Sequence, residues 1–130
     1  MKNKKVLIIA GGIALILFIG AFGLGFFLYS SGYYHAMRGG MTVRQDREQA
    51  LRFFKEAYRR NPNAYMVAHD IACCYSVKND KEEAIKWLKL TLKTSYAKAA
   101  REWARSEKEF DNLRDSPEFQ AFIDGSLPTE

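Results

Sequence analysis

The chain has only two cysteines and two histidines among its 130 residues. The cysteines, Cys73 and Cys74, are neighbours. Adjacent residues on a helix point their Cβ atoms apart, so a disulfide between them is excluded on geometry. Two histidines leave little for acid–base or metal chemistry. No Gly-rich phosphate loop follows a strand pattern, and no nucleophile–base pair stands out. Glu82, Glu83, Glu107 and Glu109 fall on what read as charged, solvated helix faces. No enzymatic activity is therefore expected. No extended basic stripe is interleaved with aromatics, which argues against a nucleic-acid partner.

Charge is absent from Val6 to Ser30, "VLIIAGGIALILFIGAFGLGFFLYS". About 20 apolar residues cross a hydrocarbon core of ~30 Å, and this run exceeds that. It reads as a transmembrane helix over 6–30, preceded by a basic tail over 1–5. The rival is a cleaved leader, for which Ala21–Gly23 is a passable cleavage site. Such leaders carry an apolar stretch of only ~7–15 residues, so a retained anchor is the better fit. Lys2, Lys4 and Lys5 abut the run on one side, while Arg38, Arg44 and Arg47 follow at a greater distance. The closer lysines favour the N-terminus inside and the soluble domain outside, the periplasm in a bacterium.

Within the run, Ala10, Ala14, Ala21 and Gly25 recur at steps that keep small residues on one helix face, and Gly32 extends the series. Small residues let a second helix approach closely in lipid. The expected partner is another integral membrane protein or a second copy of the chain.

Beyond the run, 17 Lys/Arg face 15 Asp/Glu. Residues 31–60 are net basic and residues 107–130 net acidic. The basic part adjoins the membrane, where anionic lipid would attract it.

Three helical patterns then follow. Asp46 can cap a helix whose stripe is Ala50, Phe54, Ala57 and Tyr58. Asn61-Pro62-Asn63 breaks the chain. Ala68, Ile71, Ala72 and Tyr75 form the next stripe. Asp80 and Glu83 have capping-box spacing ahead of a third, with Ala84, Leu88, Thr91 and Leu92 on its face and Trp87 beside it.

These patterns repeat. Ala50, Phe54, Ala57 and Pro62 return 34 positions later as Ala84, Leu88, Thr91 and Tyr96. A helix–turn–helix unit of that period resembles the tetratricopeptide family. Ile71, Ala72 and Tyr75 resemble its L-G-x-x-Y portion, while Thr91 and Tyr96 depart from the family's Ala and Pro. The shifted match is poor before Asp46. Gly39-Gly40 weakens a helix there, so the membrane helix is expected to run on to about Met37 and break at the glycines. Residues 31–45 are a juxtamembrane segment or an irregular first-repeat helix.

Phe110, Asp111, Leu113, Arg114, Pro117 and Phe119 resemble the closing segment of many bacterial tetratricopeptide proteins. Ser116 can cap a short helix with Pro117 at its first position. Phe119, Phe122 and Ile123 would fold back to cover the last repeat. The expected fold is all-α: one transmembrane helix, a small tetratricopeptide-like domain of helical hairpins over 46–123 with a C-terminal capping helix, and a flexible tail over 124–130.

"HDIACCYS" carries one histidine and both cysteines. Cys74 falls on the side that packs against the next helix and should behave as a small buried hydrophobe. The opposite side holds Met66, His69, Asp70, Cys73, Ser76 and Val77. The resemblance implies a concave groove there that binds a protein partner. His69 and Cys73 supply two metal ligands, with Asp70 in reserve and His35 one period earlier. Tetrahedral sites need three or four, so no metal or other cofactor is expected. The expected role is a membrane-anchored adaptor, scaffold or assembly factor. The alternative is a permanent accessory subunit of a membrane complex, held by its transmembrane helix.

Overall fold

A computed structural model describes residues 2–30, 32–42 and 45–127. Among them the regular structure is all helical, with no strand. The long apolar run forms α1 (Lys2–Ser30). Its stretch Gly12–Tyr29 is exposed, and it is long and apolar enough to cross a membrane.

The helix does not run on to Met37. It ends at Ser30, and α2 (Tyr33–Thr42) begins after a turn. Gly32 makes that turn at φ +82, a conformation costly for residues bearing a Cβ. A Cβ there would also stand 2.7 Å from the Ala57 carbonyl oxygen. Nor do the glycines break α2. Gly39 is buried against Phe54, where a Cβ would lie 2.6 Å from the ring. Gly39 is thus the contact point that lets α2 lie flat on α3 (Arg47–Arg60).

The caps form where the sequence places them. Asp46 accepts from Gln49 N–H at 2.9 Å and starts α3. After Asn61–Ala64, α4 (Tyr65–Val77) follows, then α5 (Lys81–Thr91), capped by Asp80 accepting from Glu83 N–H at 3.2 Å. Lys78 of the intervening turn reaches back to an ion pair with Glu48. The two hairpins, α2–α3 and α4–α5, stack with α4 in the middle.

Burial follows the first three repeated positions, while the fourth, Pro62 and Tyr96, is exposed. Ala50, Phe54 and Ala57 are buried on α3, and Ala84, Leu88 and Thr91 on α5. Thr91 fits an apolar position because its hydroxyl donates to the Leu88 carbonyl at 2.7 Å, so the buried group is satisfied. Trp87 is half-buried, edge-on to Tyr58 at 5.0 Å between centroids.

The C-terminal part closes the stack. α6 (Ala97–Ser106) leads into a 3-10 segment, Lys108–Leu113, and then α7 (Pro117–Asp124). Ser116 accepts from Phe119 N–H at 3.2 Å with Pro117 next in the chain. Arg114 pairs with Asp111 and donates to the Arg105 and Glu107 carbonyls, fastening the 3-10 segment to the end of α6. Phe110, Leu113, Phe119 and Phe122 are fully buried. The tail is ordered further than expected. Gly125 turns at φ +77, Ser126 and Leu127 bond back to the Ala121 carbonyl, and Leu127 packs against the core. Residues 128–130 lie outside the described residues.

Candidate functional site

The residues of α4 singled out from sequence divide into two groups. Met66 and Val77 are exposed, and Asp70 and Cys73 are half-buried. His69 and Ser76 are buried and are not open groove surface. Ser76 is held from the far side, donating its hydroxyl 2.7 Å to the Glu109 carbonyl and 2.6 Å to the Asn112 amide oxygen. Asn112 returns a bond to the Ser76 carbonyl at 2.8 Å. The 3-10 segment therefore covers the part of α4 that was expected to face a partner. Heptad-type spacing along α4 shows which residues share a face, but it gives no sign that a segment 36 residues downstream lies on it.

The four accessible residues bracket two clefts that meet at Asp70. One, of about 320 Å³, is lined by Asp70, Cys73 and Val77 with Arg47, Glu107 and Glu109. The other, of about 480 Å³ and more apolar, lies between Tyr33 and Ala36 of α2 and Met66 of α4. Together they form a groove along α4.

At the head of the first cleft, His69 Nε2 lies 2.7 Å from Glu107 Oε2, and Cys73 Sγ lies 3.5 Å from the same oxygen. Glu107 is therefore not a member of an exposed charged face. It stands at the C-terminus of α6 and reaches α4. The His69 ring is held edge-on between Trp103 at 5.9 Å and Phe110 at 5.4 Å. Its Nδ1 is buried without a hydrogen-bond partner. Spacing along α4 brings out only His69 and Cys73 here; Glu107 comes from 38 residues away, beyond the reach of local periodicity.

Local electrostatics are dominated by burial and negative charge. Burial foremost, with Glu107 adding repulsion, lifts the Asp70 carboxyl to about 6, against the opposing pull of His69. Burial and then the neighbouring carboxylates Glu107 and Asp70 push the Cys73 thiol far above its ordinary value. Burial pushes Cys74 up to about 11. Both thiols are free. Neither is an activated nucleophile, since activation needs a lowered pKa.

On the membrane side, Ala14, Ala21 and Gly25 are exposed along α1; the side chain of Ala10 lies outside the described ones. Gly32 does not extend this face, because it forms the turn after α1. The end of α1 is joined to the domain: Arg60 donates to the Tyr29 carbonyl at 3.3 Å, and its guanidinium stands over the Tyr29 ring at 4.3 Å. His35 sits between Tyr29 and Phe53, with centroid distances of 5.1 and 6.5 Å. Burial and the charge of Arg60 lower its pKa. No family model matches the chain, and comparisons with curated proteins and with solved structures also return no match.

Proposed function

We propose that the chain is a single-pass, membrane-anchored, non-enzymatic protein-interaction module of tetratricopeptide type. It serves as an adaptor, scaffold or assembly factor for a membrane-associated complex. The observation that carries this reading is the groove along α4, in which Met66, Asp70, Cys73 and Val77 flank two clefts on a domain joined to an apolar helix. The 34-residue spacing between the starts of α3 and α5 and the buried repeat positions support the family resemblance. The closing α7 supports the cap. The anchor would place the groove beside the membrane, on its non-cytoplasmic side (the periplasm in a bacterium) on the balance of flanking lysines. Partners are proteins, integral membrane proteins among them, with lipid around the span.

Exposed groove residues make the test. Met66→Glu with Val77→Glu should lower the yield of partner cross-linked in native membranes while leaving the helical circular dichroism intact. A partner recovered in undiminished yield with the double variant counts against this groove.

A second reading is favoured by the contact of Arg60 with Tyr29. A domain clamped to its span suits a permanent accessory subunit of a membrane complex, held by the Ala14–Ala21–Gly25 face. Replacing residues 6–30 by an unrelated span separates the two. An adaptor keeps its partner, and a packed subunit loses it.

A further inference from the structure

The geometry points to a divalent-metal site of the zinc class, formed by Nε2 of His69, Sγ of Cys73 and a carboxylate oxygen of Glu107. These atoms all lie within 4.8 Å of one another. His69 and Cys73 stand four residues apart on α4, and that spacing sets two side chains side by side on one helix face, as in helical zinc motifs. Glu107 approaches from the end of α6, so the three ligands converge from two elements. Zinc binds nitrogen and oxygen at ~2.0–2.2 Å and sulfur at ~2.3 Å, which places tetrahedral ligand atoms roughly 3.3–3.6 Å apart. The Cys73–Glu107 separation of 3.5 Å already matches. The His69–Glu107 separation of 2.7 Å must open by less than about 1 Å, which one carboxylate rotation supplies.

Imidazole, carboxylate and the Cys73 thiolate, formed when the metal displaces the thiol proton to solvent, together suit zinc rather than calcium or magnesium. The cleft beside Cys73 and Glu107 gives an entry path and leaves the fourth position to water. Its walls carry Asp70, Glu107 and Glu109 against Arg47, so a cation entering it meets net negative charge. The partnerless Nδ1 of His69 sets the strength. Metal-bound histidines ordinarily donate that second N–H, and loss of such a partner costs about 10–100-fold in affinity. The site should therefore bind more weakly than a fully supported three-ligand site.

The inference does not depend on the adaptor reading, and its test is separate. Full-length protein in mild detergent, stripped with chelator, is titrated with Co²⁺. One cobalt per chain should bind, with a near-ultraviolet sulfur-to-cobalt charge-transfer band that Zn²⁺ abolishes. Cys73→Ser should remove the band, while Cys74→Ser leaves it in place. Glu107→Gln should weaken binding by about tenfold or more. Absence of a saturable band overturns the proposal, and so does a band that survives Cys73→Ser. Cys73→Ser is nearly isosteric, so the test stands even if Glu107→Gln unfolds; circular dichroism at the titration temperature reports that.

Discussion

The guanidinium of Arg60 covers the ring of Tyr29 at 4.3 Å and also caps the Tyr29 carbonyl, 31 residues earlier in the chain. The last turn of an α-helix leaves carbonyls without partners. The one on Tyr29 accepts from Gly32 N–H at 3.3 Å and also from Arg60, the last residue of α3. The same Arg60 pairs with Glu56 at 2.7 Å, which fixes its direction. Arg60→Ala should cost little stability, about 0.5–1 kcal/mol for a partly exposed cation–π contact. It should instead loosen the join. Spin labels at Leu17 and Lys81 would then give a broader distance distribution in detergent. An unchanged width would show that Gly32 and α2 hold the domain without the clamp.

Acid should act on the same join through Glu56. Hydrogen bonds from Arg59 first, and Arg60 second, hold its carboxyl down at about 2. A carboxyl depressed in the folded state contributes stability above its unfolded value, near 4.5, and loses it as pH falls through about 2. The Leu17–Lys81 distribution should therefore stay narrow at pH 5 and broaden as the pH falls through about 2. Glu56→Gln should be broadened already at pH 7 and show no such step. A wild-type profile that stays flat well below pH 2 would remove Glu56 from the clamp.

Gly39 and Gly40 are neighbours with opposite requirements. At Gly39 an added Cβ meets Phe54 at 2.6 Å, whereas at Gly40 it meets nothing within 4 Å. Gly39→Ala should destabilise by ~1–3 kcal/mol, the usual range for overpacking. Gly40→Ala should stabilise by ~0.5–1 kcal/mol, because a helical glycine gives up more conformational freedom. Thermal unfolding of the two variants should move in opposite directions. A gain at both positions would mean that α2 is not packed on Phe54 as described.

These glycines mark the limit of what the sequence discloses. Signals that act within one turn are legible in it: Asp46, Asp80 and Ser116 each cap the helix expected, because the acceptor and the amide it serves are three residues apart. The 34-residue recurrence likewise locates the buried Ala, Phe and Leu positions. Gly39-Gly40 reads as a break only while Phe54 is out of view; propensity alone weighs against helix, and tertiary packing overrides it. Glu107 reads as a solvated charge for the same reason, since its partner His69 is on another helix. Ser76 reads as groove surface because the periodicity of α4 gives its faces but not what covers them. Each of these three misreadings involves a partner more than ten residues away: Phe54 for Gly39, His69 for Glu107, and Asn112 for Ser76.

The C-terminal cap makes the strongest stability prediction. Phe119 is fully buried, with ring centroids 5.7 Å from Phe110 and 6.5 Å from Phe122. It therefore joins α7 to the 3-10 segment that covers His69 and Ser76. Phe119→Ala should cost ~3–5 kcal/mol, as large-to-small changes in a packed core do. A domain of this size is stable by only about 5–15 kcal/mol, so the variant should lie close to unfolding at 37 °C. Ser116→Ala removes only the helix cap and should cost ~1 kcal/mol. Urea unfolding monitored at Trp87 and Trp103 ranks the two. Trp87 lies on α5 and Trp103 on α6, so coincident transitions would place the cap and the hairpins in one cooperative unit. A Phe119→Ala midpoint no lower than that of Ser116→Ala would mean that α7 rests on the stack without supporting it. The face of α4 that the 3-10 segment now covers would then not depend on α7 for its burial.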